Sequence, residues 1–175
     1  MIVRLLLALV IGVVGAGIVH IATVLAVPPL ADAGPYESAA SLGPEGRFHA
    51  LSVDDPFVRA VACTVPIDPP RRAVATAVLP SEIGFWSASV FARDGSVVYS
   101  INDRTAIEGL FDLIVASPQT ITELRTELDT NAPELVAVPG ERAVVVLRTY
   151  VADPTLESAA MAFLRSASCG ELQMG

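Results

Sequence analysis

Lysine is missing altogether from the 175 residues, and all 11 basic side chains are arginine. That absence removes several chemistries at once. A P-loop needs a lysine on the phosphates, a pyridoxal phosphate enzyme needs one for its Schiff base, and the Ser-x-x-Lys enzymes need one beside their nucleophile. Histidine is nearly as scarce, with only His20 and His49. His20 lies within a long apolar run, so a Ser-His-Asp triad or an imidazole metal site in a folded domain would rest on His49 alone. Neither Gly-x-Ser-x-Gly nor His-Glu-x-x-His occurs. No metal and no cofactor is expected, and the chain reads against an enzyme, with no catalytic residue to name.

Positive charge is also short. Arg4 precedes the apolar run, which leaves ten arginines against 19 carboxylates in everything that follows. A nucleic-acid reader needs a positive surface to displace counterions, so DNA and RNA are excluded as partners. An anionic lipid surface would repel such a domain as well.

What the chain does have is a long uncharged stretch. Residues 5–27 (LLLALVIGVVGAGIVHIATVLAV) carry no formal charge. At 1.5 Å per residue they make about 35 Å of helix, enough to cross a hydrocarbon core of roughly 30 Å with some tilt. Pro28 and Pro29 are expected to end the helix. Arg4 before it, and Asp32 and Glu37 as the first charges beyond it, put the N-terminus in the cytoplasm and the remainder outside. A cleaved signal peptide is the rival reading, with small-residue sites at Val24-x-Ala26 and Ala31-x-Ala33. Its apolar region would normally span only ~7 to 15 residues. Both readings export the domain.

Ala8, Gly12, Ala16 and His20 recur every four residues and share one face of this helix. Small residues at that spacing let two helices approach closely, and a histidine inside a span marks a candidate functional position. Alanine and glycine are also common in such spans without pairing. If the face pairs, a Gly12→Cys chain is expected to form a disulfide dimer in oxidised membranes. Monomer alone would exclude pairing through this face.

The chain divides into an anchor (1–27), a Pro-, Gly-, Ala- and Ser-rich tether with a lead-in loop (28–56), and a β-rich exported domain (57–175). From Phe57 the apolar pattern is that of strands. Segments 57–66 and 73–79 are separated by Asp68-Pro69-Pro70. Segments 85–92 and 97–101 flank Arg93-Asp94-Gly95-Ser96, a hairpin loop containing Asp-Gly. Segment 110–116 is a further strand. Ser117 as N-cap, Pro118 at the first helical position, and Ile121, Leu124 and Leu128 predict a helix next. Segments 135–138 and 143–151 around Pro139-Gly140 read as a second hairpin, and Asp153-Pro154 opens a last helix through Ser168. The expected fold is mainly β (α+β): a mostly antiparallel β-sandwich or jelly-roll-like domain of about seven strands with two edge helices, behind one transmembrane helix.

Cys63 and Cys169 are the two cysteines. In an oxidising compartment they form a natural pair, closing a loop of about 100 residues. The other reading is two separate buried thiols, since free cysteine behaves as a small hydrophobe.

Asp54-Asp55-Pro56 reads as a solvated turn, and Asp94 as a turn residue. Phe85-Trp86-Ser87 and Asn102-Asp103-Arg104-Thr105 are the most distinctive polar-aromatic segments. If the first hairpin brings them to one end of a sandwich, Trp86, Asn102 and Arg104 line a pocket. Otherwise the tryptophan is core and the arginine pairs with a carboxylate.

The order of these segments resembles a known family. An Asp68-Pro69 segment precedes an apolar strand ending at Pro80, then come Phe85-Trp86-Ser87, Asp103-Arg104-Thr105, and Leu113-Ile114-Val115-Ala116-Ser117-Pro118. Over residues 55–120 the chain is similar to the bacterial family named domain of unknown function 1254, in particular its short single-span members. The resemblance implies a β-sandwich-type fold, no established activity, and Arg104 and Trp86 as the positions to test first. The chain departs from the longer members in lacking the partner β-domain that follows in them.

The function expected is a non-enzymatic domain anchored in the bacterial inner membrane through residues 5–27. It would stand in the periplasm and bind an envelope protein, a second copy or a small ligand. The alternative is an envelope hydrolase using a carboxylate and arginine pocket at the end of the sandwich. Convergence of Trp86, Arg104 and Asp94 or Asp103 on one open cavity would favour the enzyme or ligand-binding reading, and burial of all three in core and ion pairs would favour a scaffold.

Overall fold

Two valine-rich strands that bury both faces organise the domain. The structure, a computed structural model, describes residues 1–30, 45–67, 72–77, 83–106, 110–128 and 133–171, and for 27–30 and 72–77 the backbone alone. Asp68-Pro69-Pro70 and most of the tether, with the Ala31-x-Ala33 site, lie outside the described residues. The chain forms two units, Met1–Gly34 and Pro35–Gly175.

The first unit is helix α1, Ile2–Leu30. Residues Ile2–Ala26 are long and apolar enough to cross a membrane. The helix outruns the boundary expected at Val27, because Pro28 and Pro29 fall in its last turn. Two missing N–H donors there interrupt only terminal hydrogen bonds.

In the second unit the described residues form nine strands. They are β1 (His49–Leu51), β2 (Val58–Pro66), β3 (Arg72–Ala77), β4 (Trp86–Ala92), β5 (Val97–Asn102), β6 (Phe111–Ala116), β7 (Glu134–Ala137), β8 (Arg142–Tyr150) and β9 (Ser168–Glu171). Helix α2 (Pro118–Glu127) follows β6. A 3-10 turn (Pro154–Leu156) and helix α3 (Glu157–Ser166) follow β8. One sheet runs β1-β2-β8-β4-β5 and the other β7-β6-β3-β9. The first is antiparallel throughout. The second contains one parallel pair, β6 with β7.

The sheets face each other across one core. Val61, Cys63 and Val65 of β2, Trp86, Ala88 and Val90 of β4, and Ala143, Val145 and Leu147 of β8 point inward from the first sheet. They meet Phe111, Leu113 and Val115 of β6 and Val136 of β7. The period of two in each strand makes this possible, since alternate residues share a face. The fold is therefore the expected α+β sandwich. Helix α3 contributes Phe163 and Leu164 to the same core. Arg59 Nε donates to Glu157 Oε1 at 2.9 Å and fixes the start of α3 against β2. Helix α2 lies on the outer face of the second sheet, where Ile121 and Leu124 cover Ile114 and Ala116. Its start is as the sequence indicates, with Ser117 Oγ accepting from Thr120 N at 3.2 Å.

Four expectations change. Segments 135–138 and 143–151 are not a hairpin: β7 and β8 stand in different sheets. Both edges of β8 are already taken by β2 and β4, so it has none left for β7. Instead β7 returns from α2 beside β6, in the parallel order that a helical crossover requires. Val138 N donates to Ala116 O at 2.9 Å, and Gly140, at φ 98°, turns the chain across to the other sheet. Secondly, the lead-in loop contains β1, so the sheet begins before residue 57. Thirdly, the last helix stops at Ser166, and Ser168–Glu171 pairs with β3 as a strand. Lastly, α2 covers a sheet face instead of an edge.

Cys63 of β2 is bonded to Cys169 of β9, across 106 residues and with 6.5 Å between the Cα atoms. The bridge joins the two sheets on the side where β9 is the last strand of the second sheet. Replacing both cysteines by alanine is expected to cost about 2–5 kcal/mol. Urea unfolding of the full chain in lipid nanodiscs measures this. An unchanged midpoint would show that core packing alone holds the sheets together.

Candidate functional site

The first hairpin carries the polar segments to opposite ends of the first sheet. At its turn, Asp94 Oδ1 accepts from Ser96 N at 3.0 Å and from Ser96 Oγ at 2.6 Å, and Gly95 has φ 82°. These bonds, from the side chain first, hold the Asp94 carboxyl below its ordinary pKa. Asp94 is thus a turn residue, as read.

At the other end Asn102 closes β5. Its Oδ1 accepts from Arg104 N at 2.9 Å and from Thr105 N at 3.1 Å, so the side chain shapes the turn that follows. Asp103 N donates to Trp86 O at 3.2 Å. The backbones of the three pocket candidates are therefore neighbours, but their side chains part. Trp86 is 2% exposed and packs against Phe111 edge-on and against Phe163, with ring centroids 6.0 and 6.2 Å apart. Removing a ring so enclosed costs about 3–5 kcal/mol. Trp86 is a core residue. Arg104 is exposed on the turn, and Asn102 belongs to the outer face of the sheet. Among the described residues, Trp86 is enclosed in the core while Arg104 faces solvent, so the two do not line one site.

His49 sits on β1 opposite Ala62. Asp55 Oδ1 accepts from Phe57 N at 2.8 Å, which makes it a turn residue beside Asp54. Among the described residues no three His, Cys, Asp or Glu side chains gather as metal ligands.

What the sequence reading passed over lies on the outer face of the first sheet. Tyr150 is exposed and pairs with Val58, and its N–H donates to Phe85 O at 3.0 Å. Its ring stands 6.1 Å from that of Phe57. Phe57, Phe85 and Tyr150 are 49%, 45% and 45% exposed, an aromatic group at one corner of a domain whose other described aromatics are buried or half-buried. Two residues before Tyr150, on the same face, is Arg148, which pairs across to Ala60 on one side and Ser87 on the other. Ser87 in turn pairs with Asn102. The signal was present in AVVVLRTYV, where an arginine interrupts a strand of valines.

Asp112, on β6, is the one described aspartate whose carboxyl is pushed above its ordinary value, and burial is the cause. Its Oδ1 is enclosed without a hydrogen-bond partner.

Solved structures share this fold. The chain is similar to the VPA0106 protein from Vibrio parahaemolyticus, with a TM-score of 0.61 and 13% identity over 78% of this chain and 33% of that one. It is also similar to an uncharacterized protein from Burkholderia cenocepacia, with a TM-score of 0.51 and 13% identity over 78% of this chain and 37% of the other. The likeness is one of fold alone. This chain spans about a third of the length of each. No family model and no curated protein matches it.

The raised Asp112 pKa sets a pH dependence. A folded-state value above the unfolded one means that the folded chain holds the proton more tightly. This contribution is fully present below the ordinary aspartate range and is lost as pH rises through the raised value. Asp112→Asn is therefore expected to raise the melting temperature at pH 7, with the gain vanishing at the acid end. A gain independent of pH would show that desolvation of the charge is not the cause.

Proposed function

We propose that this is a bacterial inner-membrane protein, kin to the domain of unknown function 1254 family, whose single N-terminal span tethers a periplasmic binding domain. The N-terminus lies in the cytoplasm, and the domain works without catalysis by holding an envelope partner or a small ligand. The observation that carries this reading is the exposed aromatic corner of Phe57, Phe85 and Tyr150 on a domain whose other described aromatics are buried or half-buried. Exposed aromatics gathered in one place are the usual mark of a recognition surface. The placement is supported by Arg4 before the apolar helix and by the Cys63–Cys169 bridge, which an oxidising compartment preserves. The burial of Trp86 weighs against a catalytic pocket at the same end of the sheet.

The test joins two readouts on the full chain in living cells. Alkaline phosphatase, which matures only outside the cytoplasm, is fused after Gly175, and a photo-cross-linking phenylalanine replaces Tyr150. Active phosphatase and a discrete adduct from position 150, absent from position 125 on helix α2, are expected. Inactive phosphatase would overturn the placement. No adduct at position 150 would overturn recognition through this corner.

A further inference from the structure

Of the arginines described, only Arg59 and Arg148 are half-buried. Arg59 is neutralised by Glu157, with 2.9 Å between Nε and Oε1. Arg148 has no carboxylate partner among the described residues. Its cross-strand neighbours, Ala60 and Ser87, are small and leave the guanidinium room at its sides. Along the same register row, strand spacing of about 5 Å carries the face from Arg148 to Ser87 and then to Asn102. Asn102 has its Oδ1 committed to the following turn, so its free polar atom is the donor Nδ2. Arg148, Ser87 and Asn102 thus form a row that can donate to an anion across three strands. The next row towards the strand ends is Val58, Tyr150 and Phe85, with the Phe57 ring against Tyr150.

Donors beside apolar rings select a ligand with two parts. We propose that this corner binds a monovalent amphiphilic carboxylate. Its flat apolar body lies on the rings of Phe57, Tyr150 and Phe85, and its carboxylate takes the Arg148 fork with Ser87 and Asn102 alongside. The geometry of a guanidinium matches a carboxylate in a bidentate pair. The rest of the domain argues for a single negative charge. With 19 carboxylates in the chain, a phosphate dianion or an anionic lipid surface meets more repulsion than one carboxylate does. This inference rests on the reading of the domain as a binding module and names what it binds.

The experiment is calorimetric titration of the full chain in phosphatidylcholine nanodiscs, corrected for empty nanodiscs. Naphthalene-2-carboxylate is the probe, with naphthalene-2-carboxamide and inorganic phosphate as the comparisons. Saturable binding of one carboxylate per chain is expected, about tenfold tighter than the amide and about tenfold tighter than to Arg148→Gln. Arg165→Gln, on helix α3, should bind as the parent does. If Arg148→Gln does not fold, Ser87→Ala replaces it, with a severalfold loss expected. Equal affinity for carboxylate and amide, full binding by the Arg148 or Ser87 variant, or no saturable binding would each overturn the proposal. Tighter binding of phosphate would overturn the choice of a carboxylate. A cross-link at position 150 alongside a failed titration would leave the binding reading standing and remove only this ligand.

Discussion

The Cys63–Cys169 bridge ties β2 of one sheet to β9 of the other, and much of the architecture follows from that tie. Strand β9 has only four residues, and its ladder with β3 is four pairs long, a short hold by strand pairing. Bonding it to the fully buried Cys63 of β2 fixes the side of the sandwich away from β7 and helix α2. The opposite side is held differently, through Trp86 set between Phe111 and Phe163. One side is thus closed by a covalent bond and the other by aromatic packing. The first depends on an oxidising compartment and the second on nothing outside the chain.

Elements whose cause is local were legible in the sequence. Asp94-Gly95 makes a hairpin because glycine takes the positive φ and the aspartate bonds back to Ser96, all within four residues. Ser117-Pro118 starts α2 for the same kind of reason, one side-chain bond and one preset φ. Pro139-Gly140 looked equivalent and is not, because a turn does not encode which sheet its second strand joins. That choice depends on which edges are free, a property of the whole fold. β1 and β9 escaped notice because three or four residues of mixed composition show no period.

The candidate site was half legible. Asn102 and Trp86 were singled out as neighbours in space, and their backbones are. Sequence distinctiveness could not say to which face each side chain belongs. Across the β4–β8 pairing, Trp86 lies opposite Thr149 and turns inward, while Ser87 lies opposite Arg148 and turns outward. A shift of one residue decides whether a side chain is core or surface. The same parity brings Arg148 and Tyr150 together on the outer face of β8.

Parity also explains why the outer corner can be polar without weakening the sheet. At the middle of β8, both faces are closed, the inner by Val145 and Leu147 and the outer by Val144 and Val146 beside Ala62 and Phe91. Only at the strand's end does the outer face change to Arg148 and Tyr150. There the inner face is still sealed by Thr149, whose hydroxyl bonds to Phe85 O at 3.3 Å. A guanidinium placed two residues earlier would be fully buried without a counter-ion, at a cost of several kcal/mol. Placed at the end, it keeps contact with water while its neighbours lower the local dielectric. That is the position where an unpaired cation is tolerated when empty and strengthened when an anion arrives. The corner's exposure is thus a condition of its proposed use, because the fold can carry Arg148 without a carboxylate partner among the described residues only where a ligand could reach it.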